Sequence, residues 1–577
     1  MRFVLAIVSF VVAAVMILAG IAQRTIFAEP DRVALSTVVS TDAPVTVISG
    51  DTLNAFAGNQ TVSVQGPGTV FAGYGRTTDV MAWIGDASYT TVTVDPETGD
   101  LTSTLTRGTE AEVPDPNGSD LWLDDFVKDN ELSMTVKVPS DISVIIASDG
   151  TEPAPGAIAL SWPLDNSTPW AGPLIVGGAL VLLLGLGFLL WAINHMRSSR
   201  GPRRKMPKVP RKPIYRPTRK APEEKPVSGR RRGMIAVPIV LVGVLALSGC
   251  SPEFWPSDQS AAVPSPSATD VPADSQINPP AATVRQIERI VARISAVATK
   301  ADTDLNADLL ATRFDGAALE LRAANYLIRK ADPSIGALPA IPEGPVKVTL
   351  PQQTDTWPRT VFAVIQDDKD DTIPPVALFL EQTDPRSDYK VSYAITLESS
   401  AVLPDVAPAS VGAARLAPDS GLLKFTPDAT AMAYAEILEK DVESAAFLDF
   451  EAEGDSLRAA VGLAAKQAIR ASLPTTASVE FSHTLGAAEP IALATNDAGA
   501  IVAINLNEIT TVKPVEAGAA VNPTGQVKAL SGLALSTKGI QATYGDQLLF
   551  YVPAAGSDGK IVLLGYSVGL VKAGEIA

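Results

Sequence analysis

Three apolar runs divide this 577-residue chain and limit what each part between them can be. Phe3 to Ala22 is apolar but for Ser9, long enough at 1.5 Å per residue to cross a hydrocarbon layer of about 30 Å. Pro173 to Ile193 is charge-free, with Trp170 and Trp191 near its ends, where amphipathic rings settle at a lipid–water boundary. Met234 to Gly249 is only sixteen residues, short for a permanent span and suited to the core of a signal peptide. Residues 1–22 are therefore expected to be an uncleaved anchor, since Gly20-Ile21-Ala22 makes a poor cleavage site, and residues 173–193 a transmembrane helix.

Charge orients these spans. Arg197 to Arg232 holds fifteen Lys/Arg and two Glu, so the rest of a chain of net charge −17 sits near −30. A basic, Pro-rich loop at 194–233 between apolar runs reads as cytoplasmic, touching anionic lipid headgroups, with 29–168 and 251–577 outside. The acidic remainder repels nucleic acid, and none is expected as a partner. One cysteine, Cys250, excludes an intramolecular disulfide and a Cys-based zinc site, and two histidines, His195 and His483, exclude a His-rich metal site. No cofactor is expected, because no glycine-rich phosphate loop is present.

Arg230-Arg231-Arg232, the third apolar run and Leu247-Ser248-Gly249-Cys250 together resemble a bacterial lipoprotein signal ending in a lipobox. The resemblance implies acylation of the Cys250 thiol and cleavage before it, which would hold the new amino terminus on the outer leaflet. Such signals stand at an amino terminus and this one is internal. Residues 234–250 are either processed within the chain or form a short third span. Residues 251–281, rich in Pro, Ser and Ala, read as a structureless tether.

Between the first two spans, residues 28–170 alternate with period two in VTVISG from Val45, TVSVQGPG from Thr61, YTTVTV from Tyr89 and LSMTVKV from Leu132. Turn residues punctuate them, so an all-β, sandwich-like extracytoplasmic domain is expected. After the tether, Thr283 and Gln286 form a capping box ahead of Val284, Ile287, Val291 and Ile294 at helical spacing. Strand patterns follow at Val346, Thr360, Pro375 and Tyr389. Thr426 and Pro427 then open a second helix-then-strand series, and the closing strands at Tyr393 and Tyr566 look alike. Two α+β modules are expected, residues 282–400 and 426–577, joined by a connector at 401–425. Helices followed by a curved antiparallel meander resemble the cone-shaped NTF2-like fold. The whole chain resembles an actinobacterial envelope membrane protein.

Candidate chemistry is sparse. Asp367-Asp368-Lys369-Asp370-Asp371 lacks the spaced ligands of a calcium loop and reads as a hairpin tip. Asp124 with Asp125, and Asp302 with Asp304, lack the setting of a metal-dependent transferase. Asn117 opens a sequon of no evident use. His483, in VEFSHTL, suits a general base if it lines a pocket, and otherwise fills a strand. No catalytic, cofactor or metal residue is assigned, and Cys250 is assigned as the lipidation site. The expected function is non-enzymatic: a multi-pass cell-membrane protein with large extracytoplasmic domains, scaffolding or binding envelope proteins. Ligand binding or catalysis by the NTF2-like modules is the alternative, with an envelope glycosyltransferase the weaker form of it.

Overall fold

The computed structural model describes residues 2–27, 30–40, 42–164, 169–198, 278–368, 370 and 372–577. Cys250, the third apolar run, most of the basic loop and the tether lie outside the described residues. The chain divides into two compact units: residues 1–34 with 161–272, and residues 35–160 with 273–577. In the first unit, α1 (Arg2–Thr25) packs against the fourth helix of the chain, α4 (Ala171–Ser198). Glycines set their approach. A Cβ on Gly178 would lie 2.7 Å from Ile17, and one on Gly20 2.6 Å from Ile175. Small residues that let backbones touch are how two apolar helices pack where water supplies no driving force. Both helices are long and apolar enough to cross a membrane.

The second unit starts from β-branched alternation. β1 (Arg32–Val38), β2 (Val45–Ile48), β3 (Gln60–Arg76), β4 (Tyr89–Val94), β5 (Leu101–Thr106), β6 (Asp124–Val136), β7 (Ile142–Ala147) and β8 (Ala157–Pro163) hydrogen-bond in the order β1-β8-β3-β7-β2-β4-β5, with β6 on β3. The strands form one continuous hydrogen-bonded sheet. β3, seventeen residues long, joins it by lying between β8 and β7, and it also pairs with β6 on both sides of an irregularity between Gln65 and Thr69. Gly66-Pro67-Gly68 forms that bulge, Gly68 taking φ +77°, and bends the pair without breaking it. β2 and β4 run parallel, joined by a crossover that contains α2 (Gly50–Leu53), β3 and α3 (Thr77–Ile84). Trp83 and Trp122 meet edge to face at 5.3 Å in the core, and the Trp122 indole donates to Pro116 O at 2.7 Å.

In the carboxy-terminal part, α5 (Val284–Asp304) begins at the capping box: Thr283 accepts from Gln286 N, and Gln286 accepts from Thr283 N at 2.9 Å. α6 (Ala307–Ala311), α7 (Gly316–Ala331), β9 (Val346–Pro351), β10 (Arg359–Ile365), β11 (Val376–Gln382), β12 (Lys390–Leu397) and β13 (Arg415–Leu416) follow. The second series comprises α8 (Pro427–Lys440), α9 (Ser456–Val461), α10 (Leu463–Ser472), β14 (Ala477–Leu485), β15 (Ile491–Ala494), β16 (Ala500–Pro514), α11 (Gly525–Ser531), β17 (Ile540–Val552) and β18 (Val562–Glu575). All ten strands belong to one sheet, ordered β13-β15-β16-β17-β18-β12-β11-β10-β9 with β14 on β16. The two series share a core as well. Phe362, Phe379 and Tyr393 of the first pack with Ile501, Leu549 and Leu564 of the second, and Leu403, Val406 and Ala413 of the 401–425 segment join them. The connector is thus part of the fold.

Residues 35–160 are fastened to this sheet by charge. Arg359 grips Asp79 at 3.1 and 2.6 Å, with both groups buried, and stacks 3.8 Å over the Trp357 ring. Trp357 itself packs against the cluster of Phe71, Trp83 and Trp122. Asp120 binds Arg293 at 3.2 Å, pairs closely with Arg313 and accepts from Tyr389 N at 2.9 Å. Arg289 donates to the carbonyls of Trp122 and Leu123, at 2.7 and 2.8 Å, and Arg386 to those of Trp83 and Ile84, both at 2.7 Å. A buried charge is tolerated only when it is paired and hydrogen-bonded, and each of these is.

Candidate functional site

Where the two series meet, the ladder is brief. β12 and β18 pair only at Thr396↔Tyr566 and Leu397↔Gly565. Gly565 permits that approach, because a Cβ there would lie 2.4 Å from Thr396 O. Beyond these pairs, side chains replace the ladder. Gln547 Oε1 accepts from Ala394 N at 2.8 Å, and Ser567 Oγ from Thr396 N at 3.2 Å. The strands diverge around a cavity of about 420 Å³ roofed by α7. Leu321, Leu338, Ile341 and Val568 form its apolar wall; Gln547, Thr396, Glu398 and Ser399 form its polar one. Arg322 also reaches it, but its guanidinium is committed to Asp302 at 2.9 and 2.7 Å and to Pro339 O. Glu398 accepts from Ser456 N at 3.1 Å. An opening of this size with a few polar groups on one wall is the usual form of a small-ligand or peptide-segment site.

A second polar group crosses the sheet nearby in sequence. His483 on β14 faces Glu508 on β16, which faces Tyr544 on β17. His483 Nδ1 lies 2.8 Å from Glu439, and Nε2 lies 3.8 Å from Glu508, too far for a hydrogen bond. Lys466, buried on α10, sits 3.3 Å from Glu508 and donates to Val461 O at 2.7 Å. Burial raises the Glu508 carboxyl, but the adjoining His483 and Lys466 outweigh it and hold the group below its ordinary value. Asp546, two residues on from Tyr544 and opposite Leu506 in the ladder, is buried with neither carboxyl oxygen hydrogen-bonded. Burial, then the Glu508 charge, pushes it well above the usual carboxylate range.

The other sequence candidates fall apart as sites. Asp124 pairs with Arg289 at 3.1 Å and Asp125 approaches Arg293 at 3.9 Å, both holding residues 35–160 in place. Asp302 binds Arg322 and accepts from the Tyr326 hydroxyl at 2.6 Å, whereas Asp304 pairs with Lys300 one turn away. Asp370 is exposed between β10 and β11, where hydrogen bonds from Thr372 hold its carboxyl below the ordinary value; Lys369 and Asp371 lie outside the described residues. Asn117 is exposed in a turn closed by Asp115. Among the described residues no group of three or more His, Cys, Asp or Glu is placed to hold a metal ion. Sequence reasoning missed the seam and the docking arginines. Their signals are Asp546-Gln547 interrupting the apolar run of β17, and Arg359 heading the otherwise apolar RTVFAVI.

A family described as "Domain of unknown function (DUF8094)" matches residues 278–575, more than half of the chain. The chain belongs to the DUF8094 family. No curated protein and no solved structure matches it. The DUF8094 domain coincides with the ten-stranded sheet and its helices, including the seam cavity; residues 35–160 lie outside the match.

Proposed function

We propose that this chain is a non-enzymatic, membrane-anchored envelope protein whose DUF8094 domain binds a segment of an envelope partner in the seam cavity. The cavity carries the reading: it pairs an aliphatic wall with hydrogen-bonding groups, and its one cation, Arg322, is already neutralised by Asp302. Anchoring rests on the two long apolar helices, and the extracytoplasmic side on the basic loop from Arg197 to Arg232. Lipidation of Cys250 would add a third attachment to the membrane lipids. The two helix-then-strand series support an NTF2-like ancestry for the halves, now merged in one sheet. The His483 ring is packed between Glu439 and Glu508 and opens on no cavity described above, a setting that favours a structural role over that of a general base.

A photo-crosslinking amino acid at Ser399, exposed on the cavity rim, tests the reading in growing cells. One discrete light-dependent adduct is expected, lost when Ala394→Trp fills the cavity. The absence of an adduct, or an adduct indifferent to Ala394→Trp, refutes it.

A further inference from the structure

We infer that residues 35–160 are the built-in partner of the DUF8094 domain, held by docking and not by the intervening chain, so that the two remain one complex if the chain between them is cut. The covalent path leaves at Leu160 and returns at Ala273, with α4 between. The docked face is finished like a protein interior. Asp79 and Asp120 are both buried, and the arginines that neutralise them deepest in the contact, Arg359 and Arg313, come from the DUF8094 domain. On separation Asp79 would keep Arg76, 2.9 Å away on its own part, and Arg313 would keep Asp388, but Asp120 and Arg359 would each lose every ion-pair partner, so neither surface is a stable free surface. Arg289 and Arg386 add bonds to main-chain carbonyls that hold position without depending on side-chain identity. Trp357 fills an aromatic cluster contributed by the other part.

Docking constrains topology too, and this half of the inference rests on the membrane reading above. Two docked parts share one side of a membrane. If α4 crosses, the chain must cross again before residue 278, and Met234 to Gly249 is the apolar run in that interval. Cleavage before Cys250 would then yield a two-chain complex, one chain held by helices and the other by acyl chains.

The test uses the full chain in detergent, with a specific protease site inserted after Ser260 and an affinity tag at the carboxy terminus. After cutting, the amino-terminal fragment should stay with the tagged one in equal amount, at 0.15 M and 0.5 M salt alike. Asp120→Arg and Asp79→Arg should each weaken retention at least about 100-fold. Combining Asp79→Arg with Arg359→Asp and Arg76→Gln, the last removing the like charge 2.9 Å from position 79, should restore it, which a merely misfolded fragment would not do. Wild-type fragments that part on cutting, reversals that leave retention intact, or a swap that restores nothing would overturn the inference. Sidedness is read separately in a Cys250→Ser background carrying Arg107→Cys or Ser557→Cys, both at exposed positions. An impermeant maleimide should label the two equally in intact wall-less cells. Unequal labelling overturns the shared side; failure of both to react removes the extracytoplasmic reading and leaves docking standing.

Discussion

Removing one charge from the Arg359–Asp79 pair should cost more than any surface ion pair in the molecule. Asp79→Ala strips Arg359 of both carboxylate contacts, at 3.1 and 2.6 Å, while the guanidinium stays about 1% exposed. What remains for it is two long bonds of 3.4 Å, to Thr356 O and Asp355 O. Breaking one partner of a buried pair costs about 3–5 kcal/mol, mostly the burial of the orphaned charge. The unit of residues 35–160 and 273–577 has about 430 residues. At about 2.1 cal/mol/K per residue its unfolding entropy is roughly 0.9 kcal/mol/K, so the melting midpoint should fall by about 3–6 °C. Because the pair is shielded from solvent, the drop should persist in 0.5 M salt. The control replaces both partners, Asp79→Leu with Arg359→Met. Apolar groups of similar volume leave no fully buried orphan, since Arg76, which loses its 2.9 Å bond to Asp79, is partly exposed and keeps the carbonyls of Pro280 and Ala281, and the midpoint should return to within about 1–2 °C of wild type. Calorimetry of the full chain in detergent measures all three. The reasoning is refuted if Asp79→Ala melts with the wild type, or if the double variant melts as low as the single one.

Two further outcomes are expected. Asp546 has a raised folded-state value and titrates near 4 when unfolded, so the stability it leaves intact below about pH 4 is lost as pH rises through its folded value. Asp546→Asn should therefore stabilise by about 1–3 kcal/mol at pH 7 and by almost nothing at pH 3.5 in denaturant titrations; an equal gain at both would mean the carboxyl is not held neutral. Cys250→Ala should abolish fatty-acid labelling of the carboxy-terminal half and leave one full-length band; a wild-type chain that already runs at full length and takes up no label would make the lipobox a relic.

Local pattern carried much of this fold. Apolar length marks α1 and α4, the Thr283–Gln286 box starts α5, Thr426-Pro427 starts α8, and alternation marks strands such as Tyr389 to Leu397. Each depends on residues a few positions apart, where periods of 2 and 3.6 leave their trace. What alternation does not state is where a sheet ends. β3 passes through its glycine bulge as one strand, and β12 finds β18 some 170 residues away, so one sheet stands where two modules were expected. The candidate sites divide the same way. Acid pairs such as Asp124–Asp125 and Asp302–Asp304 were legible as residues, yet their roles depend on Arg289, Arg293 and Arg322, whose approach only packing sets. Asp79 and Arg359, 280 positions apart, carry no mark of each other in the sequence. A charge is exposed or buried according to what covers it, and the covering is decided by tertiary structure.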